Sequence, residues 1–168
     1  MFYRVKQFIW GFISLYKKID YDYINKYLNE EDLLLFNRLK VNDKHHCIRV
    51  CKDSINFNST LNEDEKVEET KLARAALLHD VGKSALHLSL IDKSIIVILD
   101  RITKGKIRKY KNNRKIHIYY NHPKEGYEIL KAKGYSEEIL EVVRDHHKKS
   151  YSKDNKFLHI ISYCDNRN

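Results

Sequence analysis

The chain has 168 residues, of which 42% are hydrophobic and 33% charged, and a net charge of +9. That is about one domain, with enough apolar residues for a core; five glycines and one proline exclude a turn-rich β-sandwich and favour long helices. The basic balance suits an anionic partner, whether nucleic acid, a membrane surface or a phosphorylated small molecule, without choosing among them.

Residues 1–18, MFYRVKQFIWGFISLYKK, place Phe2, Val5, Ile9, Phe12, Ile13 and Tyr16 on one helical face. The longest uncharged run, residues 7–16, falls far short of the ~20 residues needed to span a bilayer, and no small-residue cleavage site follows it. The stretch reads as a helix packed on the domain. The alternative is interfacial attachment, with Arg4, Lys6, Lys17 and Lys18 on anionic lipid. Two short helices are expected over 20–28 and 30–39, and another over 43–56 carrying His46, Val50 and Ile55. Residues 56–61, NFNSTL, read as a loop.

Asn62, with Glu65 three residues on, reads as the N-cap of a helix running to about residue 79. Its second half, LARAALL, is apolar nearly all round, as a buried central helix should be. A helix rich in Ile, Val and Leu is expected over 89–103. Residues 104–115, KGKIRKYKNNRK, hold seven basic residues in twelve and read as a loop. It is a solvated loop, an edge of the active site that draws in an anionic substrate, or a nucleic-acid surface. Pro123 fits the first turn of a helix running to residue 133, with Gly134 just past its end. Ser136 caps a helix over 137–147, with Glu137 and Glu138 at its positive end, and a last helix covers 157–165. The expectation is an all-α, compact single-domain helical bundle, with N-terminal helices over 1–42 packed on a domain over 43–168. Cys47, Cys51 and Cys164 are odd in number and lack a CxxC spacing, so they read as reduced, buried thiols of a cytoplasmic protein.

Nine histidines is many for this length. His146 shares a helical face with Ile139, Val142 and Val143, and His147 lies at the edge of that arc. Asp165 follows Ile160, Ile161 and Cys164. His79 and Asp80 end the most apolar helix, and His46 lies on the side that holds Val50. A buried carboxylate must be paired or bind a metal, and neutral imidazoles do not compensate two carboxylates, whereas a dication does. His and Asp together suit Fe, Mn, Zn or Co rather than Mg or Ca.

KHHCIRV, LLHDVGK, YNHPKEGYEIL, VVRDHHK and ISYCD occur in this order. This ordered set resembles the HD superfamily of metal-dependent phosphohydrolases over about residues 43–165. The resemblance implies an HD-type helical bundle with two divalent transition metals. His46, His79, Asp80 and Asp165 would hold the first; Asp80 would bridge to the second, completed by His122 and His146. His147 would be a further ligand or a substrate contact. Lys83 would face a substrate phosphate, with Arg49 and Lys124 as further candidate substrate contacts. Asp80, Lys83 and His147 are the candidate catalytic residues. The implied reaction is hydrolysis of a nucleotide or related phosphoester by a hydroxide held between the metals, with Lys83 stabilising developing charge. Two departures narrow this. KKSYSKD follows His147 where HD-GYP proteins have their GYP motif. Asn42 stands four residues before His46, where some members use Glu for a third metal. The chain ends three residues after Asp165, as expected of a truncated or minimal form. The alternatives are a regulatory HD module that binds a nucleotide or protein partner without turnover and, further off, a di-iron oxygenase.

Overall fold

Side-chain caps decide where several helices of this chain begin. In the computed structural model, which describes residues 17–110, 112–148 and 155–168, Asp20 accepts from the Tyr23 amide to start α1 (Tyr21–Ile24). Asn29 and Asp32 form a reciprocal capping box for α2 (Glu30–Asn37), and Ser89 and Asp92 form another for α5 (Leu90–Ile102). Asn113 and Asn155 accept first-turn amides of α6 (Arg114–Lys131) and α8 (Lys156–Asp165). Each such cap satisfies donors that the helix itself leaves open. The remaining helices are α3 (Val41–Ser59), α4 (Glu69–Leu78) and α7 (Glu137–Asp145). Two short 3-10 helices cover Val81–Ala85 and Lys106–Lys109. No strand occurs among the described residues, so the fold is all-α, as expected. Of the helix expected over 1–18, residues 1–16 lie outside the described residues, and Lys17 and Lys18 are not helical.

α4 is the centre. Leu72, Ala73, Ala75, Ala76, Leu77 and Leu78 are all fully buried, against α3 on one side and α7 and α8 on others. Burying each leucine contributes about 1.5–3 kcal/mol. α3 presents Cys47, Val50, Cys51 and Ser54 to it at helical spacing. A network absent from the sequence reading ties the periphery to this core. Arg74 donates to buried Asp32 through Nε and Nη2 at 2.7 and 2.9 Å, and the Tyr135 hydroxyl donates to the same carboxylate. A smaller cluster of Leu88, Ile96 and Ile118 seats α5 on the first half of α6.

Four local expectations are corrected. Residues 56–61 do not form a loop throughout, because α3 continues to Ser59. There Asn58 is drawn in by paired hydrogen bonds with the Val67 backbone. Asn62 caps no helix; it closes a turn with Glu65 and Lys66, and α4 starts only at Glu69. Residues 104–115 hold a 3-10 helix and the start of α6. Pro123 lies inside α6, not in its first turn.

The motifs LLHDVGK and YNHPKEGYEIL explain one another. The 3-10 helix Val81–Ala85 packs backbone to backbone on α6. A Cβ on Gly82 would sit 1.9 Å from the His122 carbonyl oxygen and 2.5 Å from the Gly126 amide nitrogen. A Cβ on Gly126 would meet Val143 Cγ1 at 2.7 Å. Both glycines are therefore required by close approach, not by a left-handed backbone.

Candidate metal centre

α4 ends at Leu78, with His79 as its C-cap and Asp80 at the start of the 3-10 helix. Both are essentially fully buried. α3 brings His46, α6 brings His122, the end of α7 brings His146 and His147, and α8 brings Asp165. Five segments thus converge on Asp80. Around it the Nε2 atoms of His46, His79, His122 and His146 lie at 3.6, 3.5, 3.2 and 3.7 Å from a carboxylate oxygen. Asp165 accepts from His46 Nε2 at 2.9 Å; His79 Nε2 is 3.7 Å and His147 Nδ1 3.4 Å from it. Ligand atoms of His46, His79 and Asp165 lie within 4.8 Å of one another, and so do those of Asp80, His122, His146 and His147.

The backbone fixes which nitrogen of each imidazole faces inward. Nδ1 of His79 lies 2.7 Å from the Ala76 carbonyl, that of His122 3.1 Å from Tyr119, and that of His146 2.9 Å from Val143. A carbonyl only accepts, so each Nδ1 carries a hydrogen, and in the neutral ring each Nε2 offers a lone pair. Ala76 and Val143 belong to the last turns of α4 and α7, whose carbonyls lack intrahelical donors. Tyr119 is the i−4 partner of Pro123, which has no N–H to give. Each histidine is thus oriented by a carbonyl the helix does not use.

The three Nε2 atoms and Asp80 Oδ1 are buried without a hydrogen-bond partner. Lone pairs facing a carboxylate inside a protein are satisfied only by protonating the imidazoles or by a cation. The donor set, neutral imidazoles with aspartates, fits a transition-metal dication, and the Nδ1 contacts are the outer partners that such histidines use.

The charges balance accordingly. Burial would raise Asp80, but Lys83 and His79 outweigh it and hold the carboxyl well below its ordinary range. Asp165 is likewise held well below it by His46 and His79, against burial. Burial wins at His46 and His122, whose pKa values fall. At His147 burial, reinforced by neighbouring His146, lowers the pKa to about 2. His79 goes the other way. Burial opposes its charge, yet Asp80, Cys47 and Asp165 hold its pKa well above the usual value.

Of the residues singled out in the sequence, His46, His79, Asp80, His122, His146, His147 and Asp165 come together. His46 rather than His45 takes part, since His45 Nε2 lies 3.1 Å from the Lys17 carbonyl. Lys83 contacts Asp80 directly, and its pKa is raised because Asp80 and Asp43 outweigh its burial. Arg49 is one turn along α3 from His46 and partly buried. Lys124, exposed and two residues past His122, stands on the other side of α6 from the cluster. Cys47 is a buried free thiol, as expected, and its sulfur also lies with ligand atoms of His79 and Asp80 within 4.8 Å, a neighbourhood that its place next to His46 signals.

Pro123→Ala tests the orienting carbonyl. The variant supplies an amide that competes for the Tyr119 oxygen, so His122 loses its fixed tautomer. Metal affinity should fall by about tenfold, the lower end for loss of an outer partner, without lowering the unfolding midpoint of the metal-free protein. Competition with a chromogenic chelator reads the affinity.

The fold and site are those of an all-helical bundle around a buried His–Asp cluster that could hold metal. The HD domain family matches residues 44–167, and the chain belongs to that family. No curated protein matches the chain, and no solved structure does.

Proposed function

We propose that the protein is a metal-dependent phosphohydrolase that binds two divalent ions and acts on a nucleotide or related phosphoester. The observation that carries this reading is the set of three buried, unpartnered Nε2 atoms facing Asp80, each ring fixed by a backbone carbonyl at its Nδ1. In this reading His46, His79, Asp80 and Asp165 would hold one ion and Asp80, His122 and His146 the other, with His147 grouped beside the second set. The ions, when bound, supply Lewis acidity and a nucleophile at neutral pH.

The chain's own groups do the rest. Lys83 contacts Asp80, which places its charge beside the proposed centre, where it would stabilise negative charge developing on a phosphoryl oxygen. His147 is the half-exposed imidazole of the group. Its low pKa keeps it neutral, which suits ordering of substrate or water at the mouth rather than proton donation.

Lys83→Met separates these roles. It should lower kcat/KM by about 10² to 10³ while strengthening metal binding, because a positive charge beside the proposed ions is gone. Loss of both activity and metal affinity would assign Lys83 to holding the site together instead.

His79 gives a pH signature. Its raised folded pKa keeps it protonated near neutrality in the metal-free state, a stabilising charge present below its unfolded pKa of about 6.5 and lost as pH rises through the folded value. A metal must displace that proton. Binding should therefore release a proton at pH 7, and apparent affinity should climb with pH. Calorimetry in buffers of different ionisation enthalpy measures this. The function itself is tested by assaying metal content and hydrolysis of a panel of nucleotides and phosphoesters with Mn, Fe, Co or Zn added. Protein that takes up metal and hydrolyses none of them contradicts a hydrolase.

A further inference from the structure

α5 is built inside out. A surface helix ordinarily buries its apolar arc and exposes its polar one. Here Ile91, Ile95, Ile98 and Ile102 are exposed by 70, 50, 57 and 71%, at spacings of four, three and four residues that form one stripe. Leu99 widens it. The polar residues turn back onto the protein: Lys93 bonds Asp43 at 2.6 Å, Asp92 accepts from Lys115 at 2.6 Å, and Asp100 pairs with Arg108. Only Ile96 of this helix is buried. Contiguous apolar exposure of this kind marks an interaction surface.

What lies beside the stripe indicates the partner. Past Ile102 the chain turns through left-handed Lys104 and Gly105 into the 3-10 helix Lys106–Lys109. An open basin of about 590 Å³ there is ringed by Arg101, Lys104, Lys106, Arg108 and Lys109, with the Asp100–Arg108 pair at its edge. Tyr110 follows, 66% exposed. An apolar stripe continuous with a cationic rim and an exposed tyrosine fits the boundary of an anionic bilayer, where acyl chains take the isoleucines and headgroup phosphates the lysines. Nucleic acid would use the rim but leave the isoleucines in water. Residues 1–18 carry the same mixture in sequence, with Arg4, Lys6, Phe8, Trp10, Phe12, Lys17 and Lys18 and no acidic residue. No helix among the described residues is long and apolar enough to cross a membrane.

We propose that α5 and the basic turn after it dock the protein onto an anionic lipid surface, the isoleucine stripe inserting at the level where the lysines meet phosphate. This holds whatever the metal centre hydrolyses.

The full-length protein should sediment with vesicles of phosphatidylcholine and phosphatidylglycerol and not with phosphatidylcholine alone. Raised salt should weaken the binding. Replacing Lys104, Lys106 and Lys109 by Ser should weaken it by roughly a hundredfold, the loss expected for three surface lysines. Ile95→Gln with Ile98→Gln should weaken it by about tenfold or more. These side chains are exposed, so circular dichroism and metal content should stay unchanged. Undiminished vesicle binding by either variant overturns the proposal. So does a wild-type protein that ignores the vesicles, whether it instead forms a dimer that the double Gln variant dissolves or binds RNA through the basic rim.

Discussion

Asp80→Asn should leave a folded protein that neither holds metal nor turns over phosphoester. The substitution keeps the shape of the side chain and removes one charge at the point where Lys83, His46, His79, His122 and His146 converge. In the proposed arrangement this carboxylate is the ligand both ions share, so both sites lose it at once. Metal affinity should fall by more than about a hundredfold, beyond what loss of an outer partner costs, and kcat/KM by about 10³ or more. The metal-free protein should also lose about 3 kcal/mol. Removing one partner of a buried pair leaves the other charge uncompensated, and Lys83 limits the loss because it retains some contact with solvent. Asp165→Asn, by contrast, should weaken only the side of the centre formed with His46 and His79. Metal titration monitored by elemental analysis, beside urea unfolding with a chelator present, separates the two variants.

The second large effect comes from a residue with no chemistry of its own. Gly82→Ala should destabilise the protein by about 3 kcal/mol or more, at the upper end for overpacking. The added methyl meets backbone atoms, the carbonyl oxygen and carbon of His122 and the amide nitrogen of Gly126, and a backbone cannot swing aside like a long side chain. To relieve the clash, the 3-10 helix and α6 must separate, which carries His122 away from Asp80. Metal affinity should therefore fall together with stability, although the substituted side chain touches no proposed ligand. Gly134→Ala has open space around it but a left-handed backbone, φ 74°. It should cost only about 1 kcal/mol and leave metal affinity alone. Thermal unfolding with and without added Mn measures both quantities.

The site was more legible in this sequence than the local structure around it. His79 and Asp80 at the end of a helix whose second half is apolar nearly all round required compensation that only other parts of the chain could supply. The ordered motifs named where His46, His122, His146 and Asp165 would come from, and all of them converge. The helix boundaries were harder to read because tertiary partners decide them. Asn62 has the residues of a capping box, yet the turn it makes with Glu65 ends there, and Asn58 instead anchors the Val67 backbone. Pro123 has the composition of a helix start but lies deep in α6. Its absent N–H frees the Tyr119 carbonyl for His122, and nothing local in a single sequence reports a hydrogen bond that a proline declines to make. Gly82 serves a contact with His122, forty residues away in the chain, that only the fold reveals. The outward stripe of α5 was invisible for a related reason: a run rich in Ile, Val and Leu is expected to face a core, and the run itself does not say which side of it is covered.

The central claim is that the lone pairs around Asp80 exist to hold metal. The most direct measurement is anomalous diffraction from crystals of the protein loaded with Mn, Fe or Zn. The account predicts ions bonded to Nε2 of His79, His122 and His146 and bridged by the Asp80 carboxylate, at about 2.0–2.2 Å from the ligand atoms, with each Nδ1 still on its backbone carbonyl. Crystals that take up no ion, with Lys83 still seated on Asp80 and protonated imidazoles hydrogen-bonded to the carboxylates, would contradict it.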